Sequence, residues 1–230
     1  MFRYMLNGGE MGDYLLALLM ALPVIFISLS VHETAHGYVA LKLGDPTARN
    51  FGRLTLNPMK HLDVFGFLCI LLTGFGWAKP VPVNSRHFKK PRRDMALVAL
   101  AGPLSNLLLA VCFLLLLRFV GFGWLAQLDI KTEAQYRLVL LAIQLFYNGI
   151  YMNLTLAVFN LLPVTPLDGS RIILPLLPPR ATYWMARNER TISLVILVLF
   201  LLGPLSNMIG FITELIMKGL FALVGMAGFL

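Results

Sequence analysis

The sequence predicts an all-α polytopic membrane protein. It reads as a bundle of about four to six transmembrane helices, with a short membrane-embedded β or re-entrant segment after the first. Three observations carry that prediction. Hydrophobic residues make up 58% of the 230-residue chain and charged ones only 13%, with a mean hydropathy of +0.78; a soluble domain is about 25% charged. Four runs carry no formal charge, Tyr14–Val31, Met95–Leu117, Leu138–Leu162 and Thr191–Thr213, and each approaches or exceeds the roughly 20 residues that cross about 30 Å of hydrocarbon. The basic residues, finally, are clustered. Ten Lys/Arg lie between Lys42 and Arg93 and four between Arg171 and Arg190, while 1–13, 118–137 and 214–230 together hold five.

The first helix is expected over 14–43. Gly44 is suited to cap its C-terminus, and Asp45-Pro46 stops its continuation. Pro23 lies inside it, which membrane helices tolerate when neighbours satisfy the freed carbonyl. Only Arg3 is basic before this run and no small-residue cleavage site follows it, so a cleaved signal peptide is not expected. Residues 45–93 differ in character: Val64–Thr73 is apolar but short, and Gly74–Asn84 is rich in Gly and Pro. Short apolar runs between turn residues read as strands or re-entrant segments. At membrane depth such backbone must be buried in protein or line a wet cavity.

The next helices are expected over 94–118 and 138–162, the latter followed by a Pro- and Gly-punctuated stretch, 163–169. C-terminal helices occupy 191–230, and the sequence leaves open whether they make one span or two. The pentapeptide Gly-Pro-Leu-Ser-Asn occurs at 102–106 and again at 203–207, which reads as two helices that need close packing or a kink. No stretch has the composition of a separate soluble domain, so 1–230 is read as a single intramembrane domain. By the positive-inside rule the two basic clusters are cytoplasmic and the N-terminus is outside. The formal charge of +8 then belongs beside anionic headgroups of the lipid bilayer, and no nucleic-acid partner is expected. Cys69 and Cys112 sit in apolar surroundings and imply neither a disulfide framework nor a thiolate metal site.

The chemistry lies in His32-Glu33-Thr34-Ala35-His36. On a helix this spacing puts two imidazoles one turn apart on one face, with a carboxylate beside the first. By helix rise, His36 and His32 lie roughly 9 and 15 Å from Lys42, submerged on the cytoplasmic side. An ionisable group inside a span is costly, about 2.5–3.5 kcal/mol on insertion scales, and therefore marks a wet functional cavity. Catalytic zinc needs a third protein ligand and an open position. The run Leu138–Leu162 travels from outside to inside and delivers Asp168, framed by Pro163, Pro166 and Gly169, to the depth of the histidines. Glu189 sits among surface arginines and Glu214 at helical spacing from Lys218. His61 and Asp63 are closer rivals, but they follow the histidine helix through turns, so Asp168 is the chosen third ligand. His61 is otherwise read as a hydrogen-bonded turn residue and His87 as a solvated one. One Zn²⁺ held by His32, His36 and Asp168 activates water, for which Glu33 is the expected general base.

Together with Asn160-x-x-Pro163-x-x-x-x-Asp168-Gly169, Ala101-Gly102-Pro103 and Gly76-Trp77-Ala78-Lys79-Pro80, the HExxH segment resembles the site-2 protease family of intramembrane zinc metalloproteases. The resemblance runs from about Tyr14 to Gly169. It implies cleavage of transmembrane or membrane-proximal segments of other proteins, with membrane proteins or peptides as substrates. It also implies that Asn160 holds the substrate backbone, and that the segment containing Trp77, Lys79 and Pro80 pairs with an extended substrate. Such pairing satisfies the backbone that an unwound helix exposes. For Trp77, an interfacial anchor is as good a reading. The larger members' PDZ and CBS domains have no counterpart in this sequence, which fits the compact bacterial or archaeal branch and a cell-membrane location. Two other classes remain: a zinc-binding membrane transporter that uses His32, Glu33 and His36 as a translocation site, and a non-proteolytic scaffold that retains membrane partners.

Overall fold

The computed structural model describes residues 11–73 and 76–229; Gly74, Phe75 and Leu230, which fall inside two of the expected segments, lie outside that range. Helix α1 (Met11–Lys42) runs unbroken through Pro23. Its C-terminus closes as the sequence leads one to expect: Gly44 takes a φ of 106°, Gly44 N–H donates to the Leu41 carbonyl and Asp45 N–H to that of Ala40. This paired closure satisfies two carbonyls that the helix end would otherwise leave orphaned.

The segment 45–93 is not a β element. Its described residues contain α2 (Thr47–Asn50), short turns of 3₁₀ helix and α3 (Val64–Thr73), and among them the β pairing is a single antiparallel bridge between Leu62 and Ala78. The strand reading of Val64–Thr73 fails because of Asp63, whose carboxylate accepts the Gly66 N–H at 2.8 Å. A side-chain cap of that kind starts a helix. The re-entrant alternative agrees with an apolar helix only ten residues long.

Helix α4 (Pro91–Leu116) opens with Pro at its first turn, where a missing N–H costs nothing, and Asp94 accepts the Lys90 N–H at 2.9 Å. It continues past the expected limit at 118 as π-helix to Trp124. Helix α5 (Glu133–Asn160) begins five residues before 138 because Thr132 and Gln135 form a reciprocal capping box, a signal independent of hydrophobicity. Three short helices follow: α6 (Asp168–Ile173), α7 (Pro179–Arg187) and α8 (Glu189–Leu202). The charge-free run 191–213 is therefore not one span. It breaks at Gly203, whose φ of 106° suits a residue without Cβ, and α9 (Pro204–Leu223) takes the chain onward through Glu214 and Lys218. Among the described residues four helices are long and apolar enough to cross a membrane: α1, α4 with its π extension, α5 and α9. The molecule is a multi-pass membrane protein.

Helix α4 is central and packs against α1, α5 and α6; α9 covers α5 and carries α8. The main core joins Val24 of α1, Phe113, Leu114 and Leu117 from α4 and its extension, Ile150 and Leu154 of α5, and Met217 and Phe221 of α9. The outer faces are apolar too, with Leu194, Leu201 and Leu202 of α8 and Phe211 and Leu215 of α9 all exposed. In lipid that exposure carries no hydrophobic cost, so the helices associate through packing and interhelical polar contacts.

Asp45 ties the end of α1 to the loop that returns beneath it. Buried at 0% exposure, it accepts the Asn84 N–H and the His87 ring N–H, both at 2.7 Å, and the Thr47 N–H and hydroxyl. Burial pushes the Asp45 carboxyl up, but the bonds from Thr47, Asn84 and His87 outweigh it and hold it below the usual carboxylate range. Because the group titrates lower folded than unfolded, its stabilisation is whole above about pH 4 and fades as pH falls through the folded value. Asp45→Asn should lower the midpoint of thermal unfolding at pH 7 by about 4–8 °C, taking about 2 kcal/mol for charged hydrogen bonds. The gap between the two proteins should close on acidification below about pH 4.

Candidate metal centre

His32 and His36, one turn apart on α1, bring their Nε2 atoms to 3.0 Å from each other. Asp168 is the first residue of α6, and its Oδ2 lies 3.2 Å from both Nε2 atoms. The rings stand edge to face at 86°, and both histidines are buried. His36 Nδ1–H donates to the Val98 carbonyl at 2.7 Å, since a carbonyl can only accept. In the neutral ring that leaves Nε2 with its lone pair facing the Asp168 oxygen and His32. Three electron-rich atoms turned toward one point make an arrangement that a cation stabilises. Their spacing suits zinc, because donors on a tetrahedral ion with bonds of about 2.0–2.1 Å lie about 3.3 Å apart. Among the described residues this is the one group of three His, Cys, Asp or Glu side chains close enough to share a metal.

The rivals for third ligand are engaged elsewhere. His61 is buried and its Nε2 meets the Thr55 carbonyl at 2.7 Å; Asp63 caps α3. Glu189 and Glu214 are exposed. His87 is not simply solvated: its ring is partly exposed, and its Nδ1 pairs with the buried Asp45.

Backbone geometry decides how closely these groups meet. A Cβ on Gly102 of α4 would stand 2.5 Å from the His36 ring and 2.6 Å from His32 Cε1, so α4 touches both imidazoles and has room only for hydrogen. A Cβ on Gly169 would overlap the carbonyls of Leu161 and Leu162. The turn that carries Asp168 therefore folds flat onto the end of α5, through a cis Thr165–Pro166 peptide.

Glu33 faces a cavity of about 630 Å³ lined by His32, Trp77, Asn106, Asn160 and Ser193 among apolar neighbours. Its Oε2 accepts the Val81 N–H at 2.7 Å. The segment carrying Val81 is held in turn by Arg53, a buried cation whose Nη2 donates to the Lys79 and Pro80 carbonyls. Trp77 is half-exposed and lines the cavity; Lys79 and Pro80 are exposed and contribute carbonyls to Arg53 instead. Asn160 lines the cavity while its amide donates to Leu156 O at 3.0 Å. A second cleft of about 410 Å³, walled by Ala21, Ile25, Tyr151, Thr155 and Phe200, shares Leu29, Gly76, Leu156 and Phe159 with the first. The two form one groove between α1, α5 and α8. Sequence reasoning missed Asn106, Val81 and Arg53 as site residues. Asn106 alone left a trace there, as the last residue of the repeated pentapeptide.

The profile of peptidase family M50 matches residues 20–204. YwhC of Bacillus subtilis strain 168, named as a zinc metalloprotease, is 49% identical over 177 residues, which cover 76% of this chain and 77% of that protein. Rip2 of Mycolicibacterium smegmatis, named likewise, is 30% identical over 79% of this chain and 66% of its own length. Rip2 of Mycobacterium tuberculosis strain H37Rv is 31% identical with the same coverage. No solved structure matches the chain significantly.

Gly102→Ala should force both imidazoles aside. We expect its zinc affinity, measured by competition with a chromophoric chelator, to fall about 10–100-fold, the range for lost support of metal ligands, while helix content is retained. Unchanged affinity would mean that the rings have space to swing.

Proposed function

The chain belongs to peptidase family M50, whose members are metalloproteases, and on that premise we propose that it is a zinc-dependent intramembrane endopeptidase acting on transmembrane segments of other proteins. The observation that carries this reading is the convergence of His32, His36 and Asp168 on one point, beside Glu33, at a cavity reached through an apolar groove. His32, His36 and Asp168 would hold the metal. A bound zinc ion supplies a Lewis acid that lowers the pKa of water toward 7 and polarises the scissile carbonyl.

The remaining steps belong to side chains of this chain. Glu33 takes the proton of the attacking water and delivers it to the departing amine; the Val81 N–H fixes the carboxylate between those two tasks. Asn160 offers its carbonyl oxygen to the substrate backbone while one of its two amide hydrogens stays on Leu156. Leu29, Phe159 and Phe200 provide a greasy path for a membrane segment, and Asn148, Tyr151 and Thr155 add polar groups along α5. Trp77 closes the cavity on the side of the bridged segment. In this reading the positive-inside rule favours a metal on the cytoplasmic side of a bacterial or archaeal cell membrane, with the N-terminus outside, and residues 1–230 act as one intramembrane domain.

Transport and scaffolding fit less well. Translocation needs a second station for the ion, and no other three-residue group among the described residues can hold one. A scaffold has no use for a carboxylate held beside the ligands.

Asp168→Ala should reduce bound zinc from about one per chain, measured by atomic emission after dialysis; unchanged stoichiometry and affinity remove Asp168 from the ligand set. Glu33→Gln should keep the zinc and slow cleavage of a transmembrane substrate by at least about 100-fold. Retained cleavage would falsify the general-base assignment.

A further inference from the structure

Asn106 lies on α4 one turn beyond Gly102, about 6 Å along the axis, and on the same face. It lines the cavity with His32 and Glu33. Its exposure is 0%, and both ends of its carboxamide, Nδ2 and Oδ1, are buried without a protein partner. Leaving such a group unpaired is destabilising, whereas a leucine of similar size would carry no such penalty. Three other polar side chains of the lining each make a hydrogen bond within the protein. Asn160 donates to Leu156, Ser193 Oγ donates to the Glu189 carbonyl, and Glu33 accepts from Val81. Asn106 is the carboxamide kept free.

We infer that Asn106 is a catalytic residue that donates its Nδ2–H to the scissile carbonyl oxygen as negative charge develops there. This assignment rests on the hydrolytic reading above. In the step it serves, the water oxygen bonds to the carbonyl carbon and the C–N bond breaks. Glu33 carries the water's proton to the leaving nitrogen. Asn106 transfers nothing; it stabilises charge on the oxygen from a dry position, where a fixed donor is worth most. The two asparagines thus divide the peptide group between them. Asn160, one of whose two amide hydrogens is held by Leu156, accepts from a substrate N–H through Oδ1, and Asn106 donates to a carbonyl.

The test uses the purified full-length chain in detergent with a fluorogenic transmembrane peptide. Asn106→Leu should lower kcat by about 100–1,000-fold, the usual loss for an oxyanion donor. KM should stay within about threefold, zinc content should match wild type, and the melting temperature should be unchanged or raised, because an unpaired polar group has been removed. Asn106→Ala should give the same split between kcat and KM. In a Glu33→Gln background, peptide affinity should be unchanged by Asn106→Leu and weakened by Asn160→Leu. A kcat within threefold of wild type overturns the assignment, as does a loss of activity matched by a loss of zinc or melting temperature, which marks a structural role. If Glu33→Gln is inactive while Asn106→Leu is active, only the Asn106 role falls; if Glu33→Gln itself cleaves, the hydrolytic reading falls with it.

Discussion

The backbone of α4 lies directly against two imidazoles at Gly102, and the rest of the site depends on that approach. In water a helix is pressed onto its neighbour by the hydrophobic effect; among lipid tails it is held by packing alone, so small residues decide how near it comes. Here the nearness has a chemical result. It brings the Val98 carbonyl within reach of His36 Nδ1 and so selects the tautomer whose Nε2 faces Asp168. It also puts Asn106 one turn away on the cavity wall. The close approach, the tautomer and the position of Asn106 all follow from one helix–helix distance.

A second framework surrounds Glu33. Arg53 is a buried cation whose mapped partners are carbonyls, and it holds 79–80 so that the next N–H, that of Val81, meets the Glu33 carboxylate. The bridge between Leu62 and Ala78 fixes the same segment from the other side. The carboxylate is thus positioned by backbone, and the backbone by a guanidinium whose Nη2 donates to two successive carbonyls.

Much of this was legible in the sequence, for identifiable reasons. The two histidines are tied by helical spacing, and a period of 3.6 residues needs no tertiary knowledge. Asp168 followed from counting membrane crossings, which is topology rather than geometry. What was not legible depends on partners distant in sequence. The charge-free run 191–213 looks like a span because hydropathy does not register that Gly203 turns left-handed, while the same pentapeptide at Gly102 continues straight through α4. The capping box at Thr132 and the Asp63 cap were local signals outweighed by hydrophobicity. Asn106 read as ordinary helix-packing material, because only its lack of a partner distinguishes it, and a sequence does not list partners.

Helix α8 shows what solvent does to the meaning of a wall. Its 14 residues include none that is buried, yet Ser193, Leu197 and Phe200 line the cavity, and Phe200 meets Phe159 of α5 at 6.1 Å between ring centres. In an aqueous enzyme, parting two such apolar surfaces would expose them to water at about 25 cal/mol per Å². Among acyl chains the same parting exchanges one hydrocarbon contact for another, and only the packing is lost. A cavity wall of this kind is one whose apolar contacts acyl chains would replace at little cost.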